Sequence, residues 1–380
     1  METAIKSHTE RQSNLELLRI FSMFLIVLGH YEAHGVQHVS DPAMNMLWRS
    51  GSIVNQWFCH LLAPGGKIGV GIFFTLTGYF LCTGSWSLRK LLKLLLTVYF
   101  YAVLAFLVLT GGVIAGVFPS AAGDTKQLLI AFIHAVIPLT SEGWWFVTAY
   151  FLLYLCIPLI NRCTSALNLK QLFVLLAVTW GVWYTSTVFE FRYIGLQRAL
   201  FFYLLGTWIR RTDFSLGKKW CVPLFLAAWV LSTFTYIRID ELRPADGVRA
   251  LFLEVLYGAV NVAVCVPAAV IALFCFFNRL NIKHSRFINT VSSTTFGIYL
   301  MHESVLRDCI WDDVFHCLDV QYASPFFPLL ALGSCALLFS VLSLLDYVRQ
   351  RFLEKRVMPA VNMLLDRLIL ATSGNAKNNR

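Results

Sequence analysis

Apolar runs of roughly 20 residues alternate with short polar connections along the chain, and that run length spans about 30 Å of hydrocarbon at 1.5 Å per residue. Ten spans are predicted, at about 15 to 31, 68 to 84, 94 to 117, 144 to 160, 169 to 189, 196 to 209, 220 to 237, 249 to 277, 289 to 305 and 325 to 347. Basic clusters fall at every second connection: Arg89/Lys90/Lys93, Arg162/Lys170, Arg210/Arg211/Lys218/Lys219, Arg279/Lys283/Arg286 and Arg349/Arg351/Lys355/Arg356. The other connections carry acidic residues, among them Glu32, Asp41, Asp124, Glu142, Glu190, Asp240, Glu241, Asp246, Asp308, Asp312, Asp313 and Asp319. Charge alternation of this kind follows the positive-inside rule and predicts an all-α polytopic membrane protein with both termini in the cytoplasm.

The predicted organisation is a cytoplasmic segment over 1–14, a transmembrane domain over 15–347, a basic amphipathic helix on the cytoplasmic surface over 348–370 and a disordered tail over 371–380. From Val305 to Leu318 the apolar positions recur at helical spacing, which predicts one further helix lying in the outer membrane interface. Neither an internal repeat nor a soluble domain is apparent. The first apolar run carries Glu16, Arg19 and His30 and lacks a small-residue cleavage site, so it reads as a span and not as a cleaved signal.

Composition agrees with the pattern: of 380 residues, 58% are hydrophobic and 14% charged, against about 25% charged in a typical soluble chain. The net charge of +10 would suggest nucleic acid in a soluble protein. Sorted by the predicted topology it becomes a basic inner face suited to anionic lipid and a mildly acidic outer face, so no nucleic-acid partner is expected. The ten cysteines form no CxxC pair and lie mostly inside apolar runs, as small core residues do. Cys309 and Cys317, eight positions apart on the predicted helix, would be separated by about 12 Å and so could not be bridged.

Charged and titratable groups at membrane depth are costly, which makes each one a candidate for function. Arg19 and His30 are eleven residues apart, so they share a helix face about 16 Å apart along the axis. Glu16, three positions before Arg19, can pair with it. Taken singly, Arg19 also fits a snorkelling anchor and His30 a helix-end histidine. His302 closes the ninth predicted span at the same level as His30, with Tyr299 one turn earlier on its face. His30, His34 and His38 have the i, i+4, i+8 spacing of metal ligands, but Gly35 interrupts the run and no HExxH accompanies it, so no metal site is assigned. Glu254, Tyr257, Gly258 and Asn261 form a polar stripe in the eighth span, suited to an interhelical hydrogen bond or to a substrate contact.

Four segments resemble the acyltransferase-3 family of integral membrane acyltransferases. Glu16, Arg19 and His30 are similar to its opening signature, and Gly69 to Gly78 to its Phe-Phe and Ser-Gly motif. Trp144 to Tyr154 with Pro158 resembles its Trp-Phe, Tyr and Pro span, and Thr295 to His302 its Tyr-Leu-x-His ending. Gly71, Thr77 and Lys93 depart from residues common in the family, Gly71 standing where an acidic residue is usual.

The resemblance implies an enzyme of the plasma or inner membrane that transfers an acyl group, usually acetyl, from coenzyme A to a hydroxyl of a surface or lipid-linked glycan. Acetyl-CoA would be a substrate, with no permanently bound cofactor. His30, Arg19 and Glu16 would be the catalytic residues, with His30 as base, and Arg19, helped by Arg89, Lys90 and Lys93, would hold the donor phosphates. Trp144 and Trp145 would stack on the sugar, while His302 and Tyr299 would orient the acceptor or the oxyanion. A glycan transporter or flippase, or a ligand sensor, would also bury polar groups; a transporter usually shows inverted repeats, which the sequence lacks.

Overall fold

The computed structural model describes residues 11–37, 42–84, 86–140, 143–188, 194–242, 247–363 and 366. His38, Asp41, Glu142, Glu190 and Asp246, the first ten residues and the 371–380 tail lie outside them. Within the described residues the chain is helical throughout, without a strand. In order the helices are α1 (Ser13–His30), α2 (Pro42–Ser50), α3 (Ile53–Leu62), α4 (Pro64–Leu81), α5 (Leu88–Ile114), α6 (Thr125–Val136) and α7 (Trp145–Ala166). There follow α8 (Leu169–Val188), α9 (Ile194–Thr212), α10 (Lys218–Leu242), α11 (Val248–Val260), α12 (Val266–Asn278), α13 (Arg286–His302) and α14 (Phe327–Arg349).

Among the described residues, seven helical stretches are long and apolar enough to cross a membrane: Ser13–Val36, Ile53–Leu81, Leu88–Ile114, Trp145–Ala166, Lys218–Leu242, Leu251–Asn278 and Phe327–Met363. The other three predicted spans are helical as α8, α9 and α13 but fall outside that set. The protein is therefore an all-α, multi-pass membrane protein.

Helix α4 is the hub, packed against α1, α9 and α12. Lipid tails are as apolar as the side chains they would replace, so helices in a membrane gain by close van der Waals packing, and small residues let backbones approach. A Cβ on Gly65 or Gly69 would come within 2.4 or 2.5 Å of the Leu25 or Ser22 carbonyl oxygen of α1. On the α9 side, a Cβ on Gly78 would lie 1.9 Å from the Tyr203 carbonyl oxygen, and one on Gly206 2.0 Å from that of Thr75. Gly71 sits against Val270 and Phe202 with no room for the acidic side chain usual there.

Buried polar groups are satisfied between helices. Asn261 accepts from Ser232 Oγ at 3.3 Å and donates to Thr235 Oγ1 at 2.9 Å, which gives that part of the eighth-span stripe a structural role. Asp346, almost fully buried, accepts from Tyr101 (2.5 Å), Arg349 Nε (2.7 Å) and Gln350 (2.6 Å).

One expectation is corrected. Residues 305–318 do not form one interfacial helix: π turns at Cys309–Val314 and Cys317–Gln321 are separated by His316 in the left-handed region, φ +50°. Their apolar positions serve two different bodies, Cys309 packing with Leu109, Ala121 and Ala131, and Cys317 lying under Gly35, so the chain has to change direction between them. After the last span, α14 continues through a π turn at Gln350–Glu354 into helix as far as Met363. All ten cysteines are free.

The α4–α9 contact yields a direct test. Gly78→Ala should lower the stability of the detergent-solubilised protein by about 1–3 kcal/mol, as overpacking does, read as a fall in Tm. Gly111→Ala, whose Cβ would meet nothing within 4 Å, should leave Tm unchanged or slightly raised.

Candidate functional site

The two ends of α1 open into separate cavities. At the Arg19 end, two contiguous cavities of about 670 and 380 Å³ share Arg11, Arg19, Thr77, Lys90, Leu94 and Tyr150. Arg19 Nη1 donates to Glu16 Oε2 at 3.1 Å, and Ser292 Oγ donates to the same oxygen. Glu16 is thus a buried anchor that aims Arg19 into the crevice. Lys90 lines both cavities and Lys93 one of them, where Lys93 pairs with Glu354. Arg89 turns away to Asp366 and lines neither. Arg11, Arg210 and Arg349 also line the crevice, because α9 and α14 end beside α1 and not because of any local sequence signal.

At the other end, His30 lines a cavity of about 640 Å³ with His34, Trp145, Glu303 and Arg307. Glu303 follows α13 directly and only 5% of its side chain is exposed. Its Oε2 lies 2.8 Å from His30 Nδ1 and its Oε1 3.4 Å from His34 Nε2 and 3.2 Å from Arg307 Nη1. The α1 helix widens into a π turn at Tyr31–Val36 just beyond His30, which carries His34 to the same carboxylate. Burial works against the charge of Arg307, but the Asp308 and Glu303 carboxylates outweigh it and raise its pKa above the ordinary value.

The hydrogen bonds select a tautomer. His302 Nδ1 lies 2.7 Å from the Ile298 carbonyl oxygen, which can only accept, so this nitrogen carries the proton and Nε2 is bare in the neutral ring. His30 Nδ1 faces that bare Nε2, an acceptor, at 2.9 Å, so it is the donor; Glu303 Oε2 stands 2.8 Å from the same nitrogen but off its hydrogen-bonding direction, an ion-pair contact without a hydrogen bond. The other His30 nitrogen, Nε2, is left with its lone pair.

His302 and Tyr299 accordingly support the site from behind. His302 is fully buried with an acceptor directed at His30, and Tyr299 donates its hydroxyl to the Gly143 carbonyl at 2.9 Å, so neither is free to donate to an oxyanion as the sequence suggested. The tryptophans separate as well: Trp144 is buried in the core at 2% exposure, whereas Trp145 lines the cavity. Glu303 is the candidate site residue that the sequence reading missed. Its signal was an acidic residue immediately after His302, at the level of His30.

The ligand atoms of His30, His34 and Glu303 lie within 4.8 Å of one another, in place of the His30, His34 and His38 set considered from spacing. The 2.8 Å between His30 Nδ1 and Glu303 Oε2 is shorter than the about 3.3 Å edge of a tetrahedral zinc site and is that of a close ion-pair contact. Between the two ends runs an aromatic column. Tyr150 and Phe146, which line the Arg19 crevice, are 6.2 Å apart; Phe146 meets Tyr299 edge-on at 5.2 Å, and Tyr299 is 6.5 Å from His30.

A family model described as an acyltransferase domain, that of acyltransferase-3, matches residues 12–349. No curated protein and no solved structure matches the chain. The matched region holds the His30 cavity, the aromatic column and all of the Arg19 crevice's lining except Arg11, Gln350 and Glu354.

The tautomer is open to measurement. Nitrogen NMR of 15N-histidine-labelled protein should show neutral His30 and His302 protonated on Nδ1; a proton on Nε2 of neutral His30 would remove the proposed lone pair from the cavity.

Proposed function

The chain belongs to the acyltransferase-3 family, and from that membership we propose that it is a membrane O-acetyltransferase moving acetyl from cytoplasmic acetyl-CoA to a hydroxyl of a surface or lipid-linked glycan at the outer face of the cell membrane. The observation that carries this reading is the cluster around His30, whose Nδ1 is hydrogen-bonded to His302 with the buried Glu303 carboxylate 2.8 Å away, which leaves the other imidazole nitrogen as a base in an open cavity. The basic crevice at the opposite end of α1 supplies the complementary donor site.

In this reading the coenzyme A phosphates rest against Arg19, Lys90 and Arg11, with Arg19 held in place by Glu16. The pantetheine arm extends from there along Thr77 and Tyr150, and the Phe146–Tyr299 edge contact separates it from His30. Parting those two rings would let the thioester reach the base. His30 Nε2 removes the acceptor hydroxyl proton as the oxygen attacks the thioester carbonyl, and Glu303 stabilises the imidazolium formed. The tetrahedral intermediate then collapses, the C–S bond breaks, and the thiolate takes the proton from His30. Trp145 offers a face for the sugar ring, and Arg307 is the cation nearest the developing negative charge.

The positive-inside pattern supports the orientation, because Arg11, Arg19, Lys90, Arg210 and Arg349 gather at the donor end, while Glu303, Asp308 and Asp312 gather at the other. A flippase would need neither a thioester nor a base.

Two experiments test the assignment. His30→Ala should abolish acetylation of the glycan with membrane insertion intact, and Glu303→Gln should lower kcat by about 10²–10⁴, the range for disabling a general base or its orienting group. Mass spectrometry of surface glycans from cells with and without each variant measures this, and wild-type acetylation in His30→Ala would rule out His30 as base. Arg19→Ala should weaken saturable acetyl-CoA binding by the purified protein at least tenfold, with Arg89→Ala close to wild type. If the wild-type protein fails to bind acetyl-CoA, the donor assignment is wrong and transport is favoured.

A further inference from the structure

Two consecutive side chains on α9 carry polar atoms that nothing satisfies. The Nε of Arg198 and the Oε1 of Gln197 are both shut off from solvent without a hydrogen-bond partner. Among the described residues, the Arg198 guanidinium makes no ion pair and no hydrogen bond at all. The other half-buried arginines all have oxygen partners: Arg19 has Glu16, Arg211 the Thr164 carbonyl, Arg238 Glu241, Arg307 Glu303 and Arg349 Asp346. Arg198 is therefore the exception in a protein that otherwise pairs its buried guanidinium groups.

Its surroundings are aromatic. Arg198 Cζ lies 5.0 Å from the Trp145 ring centroid and 5.9 Å from that of Trp183, which is fully buried. Two cation–π contacts offset part of the cost of burying the charge, but ring faces accept few of the guanidinium's five N–H donors. Trp145 is kept in place by Gly195, where a Cβ would come within 2.8 Å of Trp145 Cε3. The same indole lines the cavity that holds His30 and Glu303. Arg198 thus keeps unpaired donors against the indole that lines the cavity of the proposed base, without being one of that cavity's lining residues itself.

We propose that Arg198 is the anion-recognition residue of the acceptor site, and that the acceptor carries an oxyanion, either the carboxylate of an acidic sugar or the phosphate of a lipid-linked one. A planar guanidinium set against rings is suited to two parallel N–H···O bonds to such a group. The oxyanion on Arg198 and the sugar ring on Trp145 would together fix which hydroxyl faces His30 Nε2. This inference rests on the reading that the acceptor occupies the His30 cavity.

The test uses the full chain in lipid nanodiscs, following intrinsic tryptophan fluorescence during titration with glucuronate, inorganic phosphate and glucose, alongside equilibrium binding of acetyl-CoA. Expected is a saturable response to an oxyanion and none to glucose, weakened at least tenfold in Arg198→Gln and several-fold in Arg198→Lys, with acetyl-CoA binding and Tm unchanged in both. Glucuronate binding tighter than phosphate assigns a carboxylate, and the reverse order a phosphate. Equal responses to glucose and glucuronate in the wild-type protein, or full oxyanion affinity in either variant, overturn the proposal. If Arg198→Gln does not fold, wild-type selectivity and Arg198→Lys decide. An Arg198-dependent oxyanion site in a protein that does not bind acetyl-CoA would leave this inference standing and remove the acyltransfer reading.

Discussion

Taking a carboxylate out of water costs several kcal/mol even after relaxation, and the site at the end of α1 is organised around meeting that cost for Glu303. His30 and His34 reach it from the widened end of α1, and Arg307 reaches it from its own segment. The result is more than a satisfied charge. Because the bare nitrogen of His302 is an acceptor and the carboxylate stands beside it, the proton of His30 is held on the side facing the protein. The nitrogen needed for chemistry stays available because the other one is fully committed.

The rest of the fold keeps the two ends of α1 in fixed relation. Close approach of α4 to α1 on one side and to α9 on the other requires glycine at the contacts, and it leaves no freedom to slide one helix past another without a backbone collision. Arg19 and His30 are therefore held about 16 Å apart along one rigid helix. The elements able to adjust are the side chains between them, and the Phe146–Tyr299 contact is the narrowest place in that column. In the proposed function, a donor site and a base on opposite ends of a stiff helix would turn group transfer across the membrane into a question of opening one aromatic contact.

Much of this was legible in the chain, for identifiable reasons. Long apolar runs must be helical in a membrane, since backbone groups there can be satisfied only internally. Each predicted run is indeed a helix. The spacing of Arg19 and His30 fixed their common face, and Glu16 was placed correctly beside Arg19, although as an anchor for it. Periodicity misjudged residues 305–318, because an apolar stripe buried against protein reads the same as one buried in lipid. It also assigned Arg89 to the crevice with Lys90 and Lys93, whereas neighbours on a helix point in different directions and Arg89 meets Asp366 instead.

The sequence by itself determined the class of protein, the helical segments and the charge asymmetry of the two faces, all of which follow from local composition and the energetics of a bilayer. It also marked His30 and Arg19, since a titratable group in an apolar run stands out without any knowledge of its partners. Only the tertiary structure decided which groups act on them. Glu303 and His302 meet His30 across more than 270 residues of chain. Trp144 and Trp145, adjacent in sequence, were sent to the core and to the cavity, and Arg198 was left with open donors. Hydrogen-bond partners, tautomers and unsatisfied charges are properties of contacts between helices, and no pattern along one helix contains them.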